Sequence, residues 1–415
     1  MPRVHLLIGT RKGAFIYSSD RDRLHWEVSE PLMRGSSVFS MTADARDTRP
    51  RLFAAANHWA WGRSVARSDD GGKTWDTNTP GLAFPQDPAR PIPNLNFTST
   101  GGMTDQGPVV VENVWAITPG LPSQPGVVWA GTQPAGLFRS EDRGESWAPV
   151  ESLIYHPERR YWYPTGGGAS SLHGIEVDPR NGDHLYASIA SGGTYATSDG
   201  GKTWKNTSHN CIATNPGARE MLKAMEGMDF GAEFEVPEGV DPAAANEFHK
   251  FRMDAKNPDR LWGQAHIGVF RSDDGGTSWD DVTEGLPSFH GFPLAVTKKA
   301  KDAVFVVPLE FAADNFRVCP GQFAVYRTTD SGKSWDRLEN GLPGPHDYQS
   351  AYRDAMDTDG CADEGVYVGT TNGQVYYGRD GGDRWERLPG TLPPILSVTA
   401  FESDVLWGRS GFPAD

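Results

Sequence analysis

Ser68-Asp69-Asp70-Gly71-Gly72-Lys73-Thr74-Trp75 is the stretch from which the fold can be read, because the chain writes it again and again. Its pattern is Ser/Thr-x-Asp-x-Gly-x-Ser/Thr-Trp, and six copies close on Trp75, Trp147, Trp204, Trp279, Trp335 and Trp385. The copy ending at Trp385 is looser, with Gly378 and Arg384 at the hydroxyl positions, but it keeps Asp380 and Gly382. A worn seventh copy runs from Ser19 to Trp26. A unit repeated at this period is one supersecondary element that cannot bury its apolar face alone and stacks on its neighbours.

Each copy lies between two strand-like runs. Gly365-Val366-Tyr367-Val368-Gly369 and Gln374-Val375-Tyr376-Tyr377 flank the hairpin signal Thr371-Asn372-Gly373, and the repeat then leads into Trp385-Glu386-Arg387-Leu388. The repeat is therefore a turn between strands. Its Asp accepts hydrogen bonds from the turn's own N–H groups, and its Gly supplies backbone freedom. Its Trp is expected to bury a ring beside the next repeat.

These residues resemble the Asp-box, or BNR, repeat of sialidases, xyloglucan-cleaving glycosidases, sortilin-type receptors and photosystem assembly factors. The resemblance spans nearly the whole chain and implies an all-β propeller with one four-stranded antiparallel blade per repeat. Seven inner strands can be counted: 38–41, 114–117, 173–176, 249–252, 292–295, 352–355 and 395–398. The last has no box after it, and Val4-His5-Leu6-Leu7-Ile8 has no inner strand before it. The two ends are thus expected to complete one blade together, which removes exposed sheet edges. Residues 1–415 are read as a single seven-bladed domain.

Composition narrows the function classes. A formal net charge of -15 argues against nucleic acid and anionic membrane as partners, since both require basic patches. Cys211, Cys319 and Cys361 are odd in number and lack metal-ligand spacing. With no apolar run of spanning length or signal-peptide form, a cytoplasmic location is expected, in which the Asn96 and Asn206 sequons carry no meaning.

Strand polarity puts every box on one face and the long insertions, about 76–110, 148–170, 205–247 and 311–321, on the other. Long loops on a rigid scaffold are where binding and catalysis concentrate. One insertion holds a helical signal over 218–228, with Met221, Leu222 and Met225 on one stripe. Residues that open an inner strand or end the second strand should ring the channel mouth on the loop-bearing face. Among these, His173, His249 and His266 are the candidate ligands for a divalent metal ion, with Glu310 as a carboxylate ligand. The alternative is that these rings hydrogen-bond loop backbone and never meet.

Glycoside cleavage requires two carboxyl groups in opposite protonation states. Glu310, Glu112 and Asp354 are the candidates, with Lys250 and Arg353 as anion binders. Gln133, Gln264, His58, Trp59, Trp115 and His290 are candidate substrate contacts, the aromatics suiting the apolar faces of sugar rings. The sialidase site itself is missing: there is no Arg-Ile-Pro, no third arginine and no Tyr–Glu pair to assign. The expectation is a hydrolase or lyase acting on a carbohydrate or related small polar molecule at the mouth. The competing expectation is a non-catalytic scaffold that binds a protein or peptide across the same face.

Overall fold

A computed structural model describes residues 3–97, 103–105, 107–165, 168–225, 247–299, 302–311 and 322–403. Seven antiparallel sheets form the blades, six of them from consecutive strands and the seventh from both ends of the chain. The first blade holds Ser36–Asp44, Arg51–His58 and Gly62–Ser68, with Asp76 bridging to Arg67 in place of a regular fourth strand. The second holds Asn113–Pro119, Val128–Gln133, Gly136–Ser140 and Ala148–Pro149. The third holds Leu172–Val177, Leu185–Ile189, Gly193–Thr197 and Lys205–Asn206. The fourth holds Phe248–Asp254, Asn257–Ala265, Gly268–Ser272 and Asp280–Asp281. The fifth holds Gly291–Val296, Val304–Pro308, Val325–Thr328 and Asp336–Leu338, and the sixth Met356–Thr358, Val366–Gly369, Val375–Arg379 and Arg384–Arg387.

The seventh blade joins both ends of the chain. Arg3–Thr10 pairs antiparallel with Ile395–Ser403 on one side and with Gly13–Ser19 on the other, and Glu27–Val28 completes the sheet. Ring closure follows the expected route. His5 sits inside this joint, 1% exposed, with Nδ1 2.7 Å from Ser18 Oγ and Nε2 3.0 Å from the Ser403 carbonyl.

The repeated turn is held by its own side chains. In the first copy Ser68 Oγ donates to Asp70 Oδ1 at 2.8 Å and accepts from Gly72 N at 2.8 Å. Asp70 in turn accepts from Thr74 N at 2.9 Å and Thr74 Oγ1 at 2.6 Å. The same pattern recurs at Asp142, Asp199, Asp274 and Asp330. The carboxylates are thus occupied within their turns. In the sixth copy Gly378 and Arg384 remove the hydroxyls, and the turn becomes a short 3-10 segment, Asp380–Gly382.

Each box Trp packs on the preceding blade, not the following one. Trp279 Nε1 donates to the Thr207 carbonyl at 2.7 Å, and Trp335 Nε1 to the Val282 carbonyl at 2.8 Å. Trp147 joins Phe53 and Val65, and Trp385 joins Phe305 and Leu338. The second turn glycine explains the direction. Gly332, at φ +84°, sits so near the preceding blade that a Cβ there would lie 2.6 Å from Val282 Cβ, so the turn leans backwards and carries its Trp with it.

The expected inner strand at 352–355 is displaced. The regular strand is Met356–Thr358, and the residues before it turn towards the seventh blade: Asp354 bridges in parallel to Ser397, and its carbonyl accepts from Val398 N at 2.8 Å. Neighbouring-blade pairing has captured the backbone that the alternating pattern assigned to the blade's own sheet. The helix in the third insertion runs Pro216–Met225, and its Met221 and Leu222 pack against a cluster containing Phe248, Ala265 and Ile267. It covers the flank of the fourth blade. The rest of that insertion, 226–246, and most of 311–321, with Cys319, lie outside the described residues. Among the described residues no helix is long and apolar enough to cross a membrane.

Candidate active site at the channel mouth

Antiparallel blades place the start of each innermost strand and the end of the second strand at the same end of the ring. In the fourth and fifth blades those positions hold Glu247, His249, Lys250, Ala265-His266 and His290. Sequence spacing separates these residues, but topology assembles them.

His249, His266 and His290 offer ring nitrogens that all lie within 4.8 Å of one another. His266 Nδ1 stands 3.3 Å from His249 Nε2. Glu247, in the loop entering the strand, reaches both, with carboxylate oxygens 3.6 Å from His249 Nε2 and 3.6 Å from His266 Nδ1. Burial opposes the charge on Glu247, but the approach of His249 and the positive fields of His266 and Arg353 hold its carboxyl well below the usual range. Phe292 stacks flat on His249 at 4.2 Å, and the edge of Phe311 meets both His266 and His290 at 5.5 Å. The result is a partly buried nest of three imidazoles and a carboxylate flanked by aromatic rings.

His173 does not join this nest. It is 2% exposed, and burial followed by the charges of Arg353 and Lys250 pushes its pKa well down. His290, read from the sequence as a substrate contact, stands with His249 and His266 in its place. It does so because the loop before the fifth blade folds back until His290 Nδ1 faces the His266 carbonyl at 3.4 Å. Glu247 went unnoticed in the sequence. The signal was there in Glu247-Phe248-His249, since residues two apart on an extended chain share a side.

Lys250 is not a free anion binder. It is 4% exposed, and its ammonium is ion-paired with Asp354 from the sixth blade. Burial, then the charge of Arg252, lowers the Lys250 pKa against the pull of Asp354. Arg353 reaches across the axis, with its guanidinium 5.7 Å from the Trp115 ring of the second blade and 5.9 Å from Phe292 of the fifth. Three blades thus meet at this cation, and Trp115 in turn packs on Phe39 of the first blade at 4.8 Å.

The two glutamines are engaged by the protein. Gln264 Nε2 donates to the Ala265 and Phe289 carbonyls at 2.9 and 3.1 Å. Gln133 accepts from Trp115 Nε1 at 3.0 Å and donates to the Ala169 carbonyl at 3.1 Å. Both orient loops and rings at the mouth. Glu112 and Glu310 are exposed on the same end of their blades. His58 caps its own hairpin by accepting from Ala60 N at 3.1 Å. It lies between Trp59 and Trp61, stacked at 5.9 and 6.1 Å, and both indoles are 86% exposed. Trp162, in another insertion, is buried and donates to Tyr195 Oη at 2.9 Å, so it packs its loop down.

No family model matches the chain. It is 23% identical over 320 residues to a xyloglucanase of Paenibacillus sp, covering 71% of this chain and 27% of that protein. It is 26% identical over 316 residues to an oligoxyloglucan-reducing end-specific xyloglucanase of Emericella nidulans, covering 69% and 34%. A probable enzyme of the same name from Neosartorya fischeri is 23% identical over 228 residues, covering 52% and 26%. The chain therefore spans about a quarter to a third of the length of these relatives. Among solved structures, an ancestral GH74 enzyme superposes with a TM-score of 0.55 at 16% identity, covering 86% of this chain and 39% of that one, which bears on the fold alone.

Proposed function

We propose that this protein is a hydrolase acting on a carbohydrate, with the saccharide lying across the mouth that carries the long insertions. The observation that carries the reading is that curated relatives matched along the repeat region, up to 320 residues, are named as xyloglucan-cleaving enzymes. The physical character of the mouth agrees with it. Two exposed indoles on the first blade offer flat apolar faces at one side, and an arginine and ion-paired groups stand at the centre. Stacking faces with a few oriented polar groups are what a sugar ring asks of a site.

In this reading Asp354 is the carboxylate that acts as base, oriented by Lys250, and Glu310 delivers the proton to the leaving oxygen, with Glu112 as the other exposed carboxyl on that face. Arg353 and Trp115, already in contact with each other, form part of the surface that the sugar meets. The substrate class is a β-glucan chain or oligosaccharide. The test is reducing-end release from soluble xyloglucan and its oligosaccharides, measured for the native chain and for Asp354→Asn and Glu310→Gln. Loss of a general acid or base costs about 10²–10⁴-fold in rate. A native protein inert on every soluble glucan, or two folded variants with unchanged rates, would remove the proposal.

A further inference from the structure

Among the described residues, His249, His266 and His290 form a group of three metal-ligating side chains close enough to share one ion. We infer that they hold a divalent transition metal of the zinc class, with Glu247 completing the shell. This inference is independent of the carbohydrate reading, since it concerns an ion and not a substrate.

Four features carry it. The first is spacing. Ligands about 2.0–2.1 Å from a tetrahedral zinc stand about 3.3 Å apart. His266 Nδ1 and His249 Nε2 are 3.3 Å apart, and Glu247 reaches them with one oxygen each, Oε1 3.6 Å from His249 and Oε2 3.6 Å from His266. The remaining separations among the three histidines, up to 4.8 Å, close with a small swing of His290.

The second is the hydrogen bonding of the opposite ring nitrogens. His249 Nδ1 donates to the Gly291 carbonyl at 2.5 Å, and His290 Nδ1 faces the His266 carbonyl at 3.4 Å. A ligand histidine is held by a bond of this sort, which fixes its tautomer and its ring orientation.

The third is chemistry. Three imidazoles and one carboxylate make a borderline donor set that suits zinc and its neighbours and disfavours calcium or magnesium. The carboxylate also offsets the ion's charge.

The fourth is burial. His249 is 1% and His290 5% exposed, and Phe292 and Phe311 close two sides. Burying two imidazoles this far is costly to a fold that needs only packing there, and an ion repays that desolvation. His266 stays partly open, so an exchangeable water or ligand has a way in.

The experiment uses the full chain, stripped with chelator and titrated with Zn²⁺ alone. Calorimetry should show one ion per chain, and Tm should rise by about 2–4 °C or more at saturation. Co²⁺ in place of Zn²⁺ should produce the visible absorption of a four- or five-coordinate nitrogen–oxygen site, a readout that needs no variant. His249→Ala and His290→Ala should each weaken binding by more than the roughly 10–100-fold that loss of a supporting contact brings. His184→Gln, at a part-buried pair with Asp178 of the third blade, should leave it unchanged. Absence of stoichiometric binding by the native chain, or binding that survives the His249→Ala/His290→Ala double variant, would overturn the assignment.

Discussion

The boundary between the sixth and seventh blades rests on an ion pair that solvent barely reaches, and its removal has a calculable consequence. Arg23, from the N-terminal segment, donates through Nη1 to Asp359 Oδ2 of the sixth blade at 2.7 Å, with side chains 1% and 0% exposed. Asp359 also accepts from Tyr367 Oη at 2.8 Å, Cys361 N at 2.9 Å and Gly365 N at 3.1 Å. Arg23 stands at φ 54°, so its replacement by Met keeps the same backbone strain and removes only charge and donors. At an effective dielectric of about 20 and about 4 Å between charge centres, the attraction is about 4 kcal/mol. Breaking one side of such a pair costs about 3–5 kcal/mol, because the other charge stays buried and unmatched. The three remaining donors to Asp359 put Arg23→Met nearer the lower end. The Arg23→Met/Asp359→Asn double variant should lose less than the sum of the singles by about 2 kcal/mol. Urea unfolding followed by tryptophan fluorescence and by far-ultraviolet circular dichroism measures all four proteins, and coincidence of the two probes checks that one transition is being read. A cost below about 1 kcal/mol for Arg23→Met, or strict additivity in the cycle, would refute the reasoning.

Three further outcomes follow from particular residues. Burial, with a smaller push from Arg3, lowers the His5 pKa to about 4 from its ordinary 6.5, so its stabilising share is complete above pH 6.5 and is lost as pH falls through 4. That share is at most about 3 kcal/mol, and His5→Asn should flatten the stability curve across this window in pH-dependent thermal melts. Gly332→Ala should cost about 2–4 kcal/mol, since strain at positive φ adds to a clash with Val282, while Gly62→Ala, at φ +78° with nothing within 4 Å of its Cβ, should cost about 1–2 kcal/mol. Urea titrations of the pair separate the two terms. Trp59→Ala and Trp61→Ala, at 86% exposure, should change stability by less than about 0.5 kcal/mol while raising KM on xyloglucan several-fold with kcat held, and steady-state kinetics decide it.

The repeat was legible because its information is local. Ser68, Asp70, Gly72 and Thr74 satisfy one another within a single turn, so eight residues suffice to recognise it and counting copies counts blades. Alternation placed most inner strands for the same reason. The inner strand at 352–355 was misplaced because Asp354 pairs with Ser397 of another blade, a partner that no local pattern encodes. The direction in which the Trp rings lean was equally invisible, since it depends on how closely a turn glycine approaches the blade before it.

The sequence by itself determined the propeller, its seven blades, the joining of its ends and the end of the ring where ionisable residues gather. Each of these follows from short-range periodicity and strand polarity. Tertiary structure alone decided which of those residues meet. Lys250 and Asp354 lie 104 positions apart yet neutralise each other, and His290 takes the place expected of His173 beside His249 and His266. The reason is that a side chain's partners at a channel mouth are set by how adjacent blades tilt and how the loops between them fold back, and those are sums over the whole ring.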